Sequence, residues 1–204
     1  MARNTQSIVK QSRREGYALH PKAHKALVKR TSPPGQQTSG RRSRPSQYAL
    51  QLREKQKVKR LYGLLEKQFS KLMKEATASK DQSGTVLLEF LERRVDNVVY
   101  RAGLAPSRQG ARQLVTHGHF TLNGRRIDIP SQRVSIGDNL LVRDKSKKSF
   151  YFKNIDQTSP PPSSIPSWIK PNRKSLSITI TALPSRDDSE ADIKDQLIVE
   201  YYSR

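Results

Sequence analysis

Ser107-Arg108-Gln109-Gly110-Ala111-Arg112-Gln113-Leu114-Val115, then His117-Gly118-His119 and Phe120-Thr121-Leu122-Asn123-Gly124-Arg125-Arg126-Ile127, is the stretch that organises this chain. On a helix Ala111, Leu114 and Val115 share one side and face a core, while Arg108 and Arg112, four residues apart, stack on a neighbouring side with Gln109 and Gln113 beside them. Ser107 suits the N-cap, and Gly118 stands where a helix exits through a left-handed residue. Beyond it Phe120 and Leu122, then Ile127 and Ile129, alternate around Asn123-Gly124, a tight-turn dipeptide. Another turn at Gly137-Asp138-Asn139 precedes Leu140-Leu141-Val142, a short strand. The order expected is a helix followed by a small twisted sheet.

Working outward towards the N-terminus, Leu87, Leu91, Val95 and Val98 form the buried stripe of a preceding helix, which Gly103 and Pro106 end. Ser46 reads as the N-cap of a long helical stretch in which Val58, Leu61, Tyr62, Leu65, Phe69, Leu72, Met73 and Ala76 recur at three- and four-residue steps. Lys55, Lys57, Lys59 and Arg60 fall on its other faces. Residues 1–45 read as an irregular basic arm, because Pro33-Pro34-Gly35 stops any helix and Ser39 to Pro45 has no apolar period. Towards the C-terminus residues 156–171 are rich in Pro and Ser and favour an extended linker. Leu176, Ile178, Ile180 and Ala182 then alternate as in a strand, and Asp195 to Tyr202 suits either helix or strand.

Composition narrows the partner. The chain has 204 residues, with 39 Lys and Arg against 18 Asp and Glu, a formal charge of +21. Such an excess repels itself on folding and implies a polyanion. No apolar run approaches the ~18 residues that span a bilayer, so nucleic acid leads over membrane. The absence of cysteine rules out disulfides and thiolate metal sites and fits a cytoplasmic or organelle-matrix chain. The acid-poor N-terminus resembles a transit peptide in composition alone.

Arginine forks at Arg108 and Arg112 suit phosphate, and the amides of Gln109 and Gln113 reach sugar or base edges. Arg125 and Arg126 at the turn tip can grip a second backbone strand. His117 and His119 are either solvated turn residues or contacts. Because A-form grooves hide base edges, such a surface reads RNA by shape, phosphate and 2′-hydroxyl.

From Leu91 to Lys145, through Leu91-Glu92-Arg93-Arg94-Val95-Asp96-Asn97, Ser107-Arg108, Ala111-Arg112-Gln113-Leu114-Val115, His117-Gly118-His119 and Leu122 to Arg126, the chain resembles the S-four RNA-binding domain. Ser12-Arg13-Arg14-Glu15-Gly16, Pro33-Pro34-Gly35-Gln36, Leu52-Arg53-Glu54-Lys55-Gln56-Lys57-Val58 and Glu200-Tyr201-Tyr202-Ser203-Arg204 extend the likeness to the bacterial and plastid family of small-subunit ribosomal protein four. The resemblance implies an α+β protein that binds small-subunit rRNA at a helix junction of the 5′ domain. It places Arg3, Arg13, Arg14, Pro34, Gly35, Gln36, Arg41, Arg42, Arg44, Tyr48, Arg53, Lys55, Lys57 and Lys59 on a first RNA surface. A second comprises Ser107, Arg108, Arg112, Gln113, His117, His119, Asn123, Arg125 and Arg126. It further implies a place at the mRNA entry side beside ribosomal proteins three and five, with a part in decoding accuracy.

Two features depart from the family. Many members hold zinc on four cysteines of the N-terminal arm, whereas Val9 and Ser12 occupy the first two positions here, so a zinc-free form is expected. His20 and His24, two neutral ligands without acids or thiols, make a poor metal site. The second departure is the Pro/Ser segment, where the family often has helix. The expected plan is a basic arm 1–45, a helical RNA-binding region 46–91 completed by a tail of about 191–204, an S-four domain 92–150, a linker 151–171, and a strand 172–190 returning to the S-four domain.

S-four domains also accompany pseudouridine synthases and tyrosyl-tRNA synthetases, but residues 1–90 supply no catalytic domain, nucleophile elbow or P-loop. Asp96, on a helix beside Arg93 and Arg94, reads as an ion-pair partner of Arg rather than a base. A small stress protein that rebinds ribosomal RNA would lack the arm and tail, and a DNA-packaging protein would ignore RNA fold. The expectation is therefore a binding protein, not an enzyme, with no cofactor, no membrane partner and no homo-oligomer.

Overall fold

The computed structural model describes residues 4–35, 44–162, 164–190 and 192–203. Along the chain run α1 (Ile8–Glu15), α2 (Pro21–Lys29), α3 (Gln47–Leu61), α4 (Glu66–Thr77), α5 (Ser83–Glu92), α6 (Val95–Arg101) and α7 (Arg108–Thr116). There follow β1 (Phe120–Leu122), β2 (Arg125–Ile127), β3 (Asn139–Val142), α8 (Asp144–Lys147), α9 (Phe150–Lys153), α10 (Ile155–Thr158), β4 (Ile169–Asn172), β5 (Ser177–Ile180) and α11 (Asp195–Tyr202). The architecture is α+β, in two compact units: residues 1–87 with 191–204, and residues 88–190.

The first unit is helical. Ser46 caps α3 by accepting a hydrogen bond from the Ala49 amide at 3.3 Å. The long helix expected from the apolar period is broken at Gly63, whose φ of 66° is left-handed and costs glycine little. The chain turns there, and Val58 and Leu61 on α3 and Phe69 and Met73 on α4 are all buried. The tail resolves as helix α11, which packs on α3: Ile198 is fully buried, and Gln51 donates to Glu200 at 2.8 Å.

Residues 1–45 differ from the irregular arm suggested by their composition, since α1 and α2 lie within them. These helices bury mainly polar or small side chains, Gln11 and Ser12 on α1 and Ala23 on α2, so no apolar period announces them. They are fixed by polar contacts instead. Ser12 Oγ donates to Ile8 O and accepts from the Leu19 amide, while His20 Nδ1 accepts from the Lys22 amide at the start of α2.

Lys55 and Glu66 make the central polar contact of this unit. The Lys55 ammonium is buried, 2.9 Å from Glu66 Oε1, and lies 4.6 Å from the centre of the Tyr201 ring. Lys59 takes Glu66 Oε2 at 2.7 Å, and the Tyr202 hydroxyl donates to Oε1 at 2.7 Å. One carboxylate thus ties α3, α4 and α11 together.

The second unit is built on a five-stranded antiparallel sheet in the order β2-β1-β3-β5-β4. Asn123 and Gly124 have φ of 49° and 82°, the doubly positive turn expected between β1 and β2. Within residues 172–190, β5 pairs with β3, Leu140 opposite Ile178. On its outer side lies β4, which the sequence did not reveal; its Pro171 is tolerated because β4 is an edge strand. The core runs from Val95, Val98 and Val115 through Phe120 and Leu140 to Trp168 and Ile178.

Two further expectations change here. The single stripe of Leu87 to Val98 is split between α5 and α6, because Arg94 is extended (φ −65°, ψ 136°) and bridges to Arg133. Its side chain makes two bonds to Asp96, at 3.0 and 2.7 Å, both residues being buried. The Pro/Ser segment is not a free linker. Phe152, Ile155 and Trp168 are buried, Ser159 Oγ donates to Gly103 O at 3.0 Å, and Arg173 donates to Ser159 O at 2.7 Å. These anchors tie Ser159 and Arg173 to Gly103, just past the end of α6.

Burial alone would raise the Glu66 pKa, but hydrogen bonds from Lys59, Lys55 and Tyr202 bring it from 4.5 down to about 2. A depressed carboxylate contributes stability that is present above its unfolded value and lost as pH falls through the folded one. Glu66→Gln should therefore melt below the wild type at pH 7. The gap should close between pH 4.5 and about 2, followed by circular dichroism melts across that window.

Candidate nucleic-acid interface

The second unit presents its basic surface on α7 and the β1–β2 hairpin. Ser107 Oγ accepts from the Gly110 amide at 3.1 Å, so the hydroxyl expected to meet a ligand caps the helix. Arg108 does not project from the ridge as its helical position suggests. Its Nε donates to Asn97 Oδ1 at 2.9 Å, its Nη2 to Glu190 Oε1 at 3.0 Å, and the guanidinium stacks 4.7 Å from the Tyr100 ring. Its fork is held inside the unit, which removes it from the exposed set. Arg112 leans the same way, its Nη1 3.9 Å from Asp96 Oδ2, and is half-buried. Burial lowers the Arg112 pKa and the Asp96 charge opposes that shift.

What α7 offers outward is Gln109, Gln113 and Thr116, followed by His117, all exposed. His119 turns inward, with Nδ1 3.0 Å from Ser146 Oγ and its ring edge-on to Phe152. Burial first, then the charges of His117 and Arg143, lower its pKa below 6.5. It is neutral at pH 7 and supplies a hydrogen bond rather than a charge.

The hairpin tip carries the strongest exposed charge of this surface. Asn123 is locked in place: its Nδ2 donates to Asp138 Oδ1 at 2.7 Å and its Oδ1 accepts from the Asn139 amide at 2.9 Å. That pins the turn and so fixes Arg125 and Arg126, both exposed. Gly118 matters here for space, since a Cβ on it would stand 2.5 Å from Arg126 Nε. The Arg126 side chain lies across the exit of α7 because residue 118 has none.

In the first unit the predicted residues divide in the same manner. Lys55 is buried against Glu66, Lys59 bonds the same carboxylate, and Lys57 donates to Asp192 O at 2.7 Å beside Glu54. These three hold α3 to its neighbours; Lys55 in particular has no surface to offer. Arg13 donates to Ser32 O at 3.0 Å and fastens the Pro33 turn to α1. Arg53 reaches Glu15 at 3.3 Å while keeping 42% of its side chain exposed. Arg14, Gly35, Arg44 and Tyr48 are exposed, the last with its ring 5.9 Å from Tyr201. Arg3, Gln36, Arg41 and Arg42 lie outside the described residues.

A cleft of about 460 Å³ joins several of these to residues the sequence did not single out. Gln6, Ser7, Lys10, Gln11, Arg14, Pro34, Gly35 and Arg60 line it. Arg60 is held there by Glu15, whose side chain is fully buried and whose pKa burial raises against the pull of Arg53 and Arg60. The signal for Lys10 and Arg60 was present in their charge, but only the fold brings them beside Arg14. Among the described residues no group of His, Asp and Glu is arranged to hold a metal ion, and no helix is long and apolar enough to cross a membrane.

The division into internal and outward cations is testable. Arg108→Ala removes the bonds to Glu190 and to Asn97 Oδ1 and should cost about 1–3 kcal/mol. For a unit of this size that is about 4–8 °C of Tm per kcal/mol. Arg125→Ala with Arg126→Ala should leave Tm within a degree or two of the wild type, read from thermal melts.

Comparison with known proteins assigns both regions. The model of the Ribosomal protein S4/S9 N-terminal domain matches residues 3–92, and that of the S4 domain matches residues 93–140. The small ribosomal subunit protein uS4 of Pelodictyon phaeoclathratiforme is 48% identical over 204 residues, covering 100% of both chains. Those of Clostridioides difficile, 48% over 211 residues, and Chloroflexus aurantiacus, 48% over 206, are likewise covered in full. Matched from end to end at nearly half of its positions, this cysteine-free chain belongs to the uS4 family of small ribosomal subunit proteins, a structural and not an enzymatic family.

Proposed function

We propose that this protein is a primary rRNA-binding protein of the small subunit, which contacts the 5′ domain directly and early and so nucleates assembly of the body. The observation that carries this reading is the rigid display of Arg125 and Arg126 on a pinned turn beside Gln109, Gln113 and His117. A backbone fixed before binding adds no ordering cost of its own when the side chains it carries meet phosphate. A second set, Lys10 and Arg14 at the cleft with Arg44 on the same unit, supplies contacts of the same kind. Arg41 and Arg42, between Gly35 and Arg44, join the candidates by sequence alone.

On this reading the mechanism is binding without chemistry. Two basic surfaces each hold an RNA backbone, and the folded RNA that satisfies both is favoured over chains that satisfy one. Contacts to mRNA at the entry channel, to ribosomal proteins three and five, and a part in decoding accuracy belong to the same proposal, as does a cytoplasmic, bacterial setting without homo-oligomers. The likeness to full-length bacterial relatives supports it.

Binding to the 5′ domain of small-subunit rRNA, set against a scrambled RNA of equal length at ~0.15 M salt, tests the reading where exposed charges are screened beyond about 8 Å. A preference of about a hundredfold is expected, on the order of 2.7 kcal/mol. Equal affinity for both RNAs would mean charge alone drives association.

A further inference from the structure

Phe150 is the most exposed large apolar side chain among the described residues, at 81%. A single exposed phenylalanine is ordinary; its setting is not. From Arg143 to Lys153 the chain carries five cations, Arg143, Lys145, Lys147, Lys148 and Lys153, against one acid, Asp144. Lys147 pairs with Asp144 at 2.9 Å, and Arg143 donates to Gly118 O at 3.1 Å. Lys145, Lys148 and Lys153 stand exposed. Phe150 opens α9, and Lys153 follows it at the i+3 position on the same short helix.

The mount is rigid. Tyr151 next to it donates its hydroxyl to Leu104 O at 3.0 Å, and Phe152 is buried against Phe120 and His119 with edge-on rings. Of three consecutive aromatic residues, two anchor the segment in the core and the first is held in water. Folding gains nothing from that ring, because it buries little surface. Its surroundings also fit poorly with an apolar protein partner, since the exposed neighbours are lysines. An exposed flat ring in a lysine-rich segment matches a ligand that has both a π-face and phosphates.

We propose that Phe150, with Lys148 and Lys153, is a seat for an unpaired RNA base, the base stacking on the ring and its flanking phosphates meeting the two ammonium groups. It adds to the surfaces described above a site that takes single-stranded rather than helical RNA, and it rests on the RNA-binding reading for its setting.

Phe150→Trp supplies a direct reporter, because the native Trp168 is 1% exposed and shielded from added ligand. Titration of the full-length variant with a twelve-nucleotide oligoadenylate should quench the new indole, and a blunt duplex of equal length should not. In 5′-domain rRNA binding, Phe150→Ala and Phe150→Leu should each weaken affinity about tenfold, within the range for loss of one base stack, while Phe150→Tyr stays within about twofold. Phe150→Leu binding as tightly as wild type would overturn the seat, as would an indole that RNA leaves unquenched or that shifts only with anionic phosphatidylglycerol vesicles. Quenching by oligoadenylate with no preference for 5′-domain rRNA over scrambled RNA would keep the seat and reject the specific rRNA reading.

Discussion

Scarcity of carboxylates is the constraint on which this structure turns. With 39 basic residues and 18 acidic ones, the chain cannot neutralise itself, and each well-placed acid serves more than one cation. Glu15 holds Arg53 and Arg60, and Glu66 holds Lys55 and Lys59. Asp96 holds Arg94 with Arg112 near it, and Glu190 lies between Arg101 and Arg108. Glu92, buried, accepts both Arg101 and Asn97. Paired burial of this kind adds little net stability, but removing one partner is costly, about 3–5 kcal/mol for a fully buried pair. The acids therefore decide which arginines and lysines are structural. Backbone carbonyls hold others, such as Arg13 and Arg143, while Arg14, Arg44, Arg125 and Arg126 are exposed.

That sorting explains how the fold and the surface relate. In each unit the internal pairs join segments distant in sequence: Glu66 ties α4 to α3 and α11, and Glu190 reaches back to α7. The cations left over sit on elements those pairs have already fixed. Arg125 and Arg126 ride on a turn that Asn123 and Asp138 lock, and Arg126 fits only because Gly118 has no side chain. A surface so held can select for the shape of an RNA, whereas the same charge on a loose chain would bind any polyanion.

Local signals in the sequence were enough for the caps at Ser46 and Ser107, the Asn123-Gly124 turn and the α+β order, because each depends on a few neighbouring residues. Long-range sorting of charge was not legible. Position on α7 places Arg108 on an outward ridge, but its partner Glu190 lies 82 residues away in the chain. Lys55 looked like its neighbours Lys57 and Lys59 until Glu66 and Tyr201 were folded onto it. Helices α1 and α2 escaped notice because they bury polar groups, and the Pro/Ser segment hid Phe152, Ile155 and Trp168 behind its turn residues. Breaks at Gly63 and Arg94 were invisible because the apolar period continues across both.

On the proposed function, outward cations and not the total charge set the RNA affinity. The most direct measure of this is the slope of log K against log salt for 5′-domain rRNA, compared between the wild type and Arg125→Ala with Arg126→Ala. Each phosphate contact contributes about −0.7 to −0.9 to that slope. The double variant should flatten it by about 1.4 to 1.8 with the fold intact. An unchanged slope would show that the hairpin arginines touch no phosphate and would contradict the assignment of this surface.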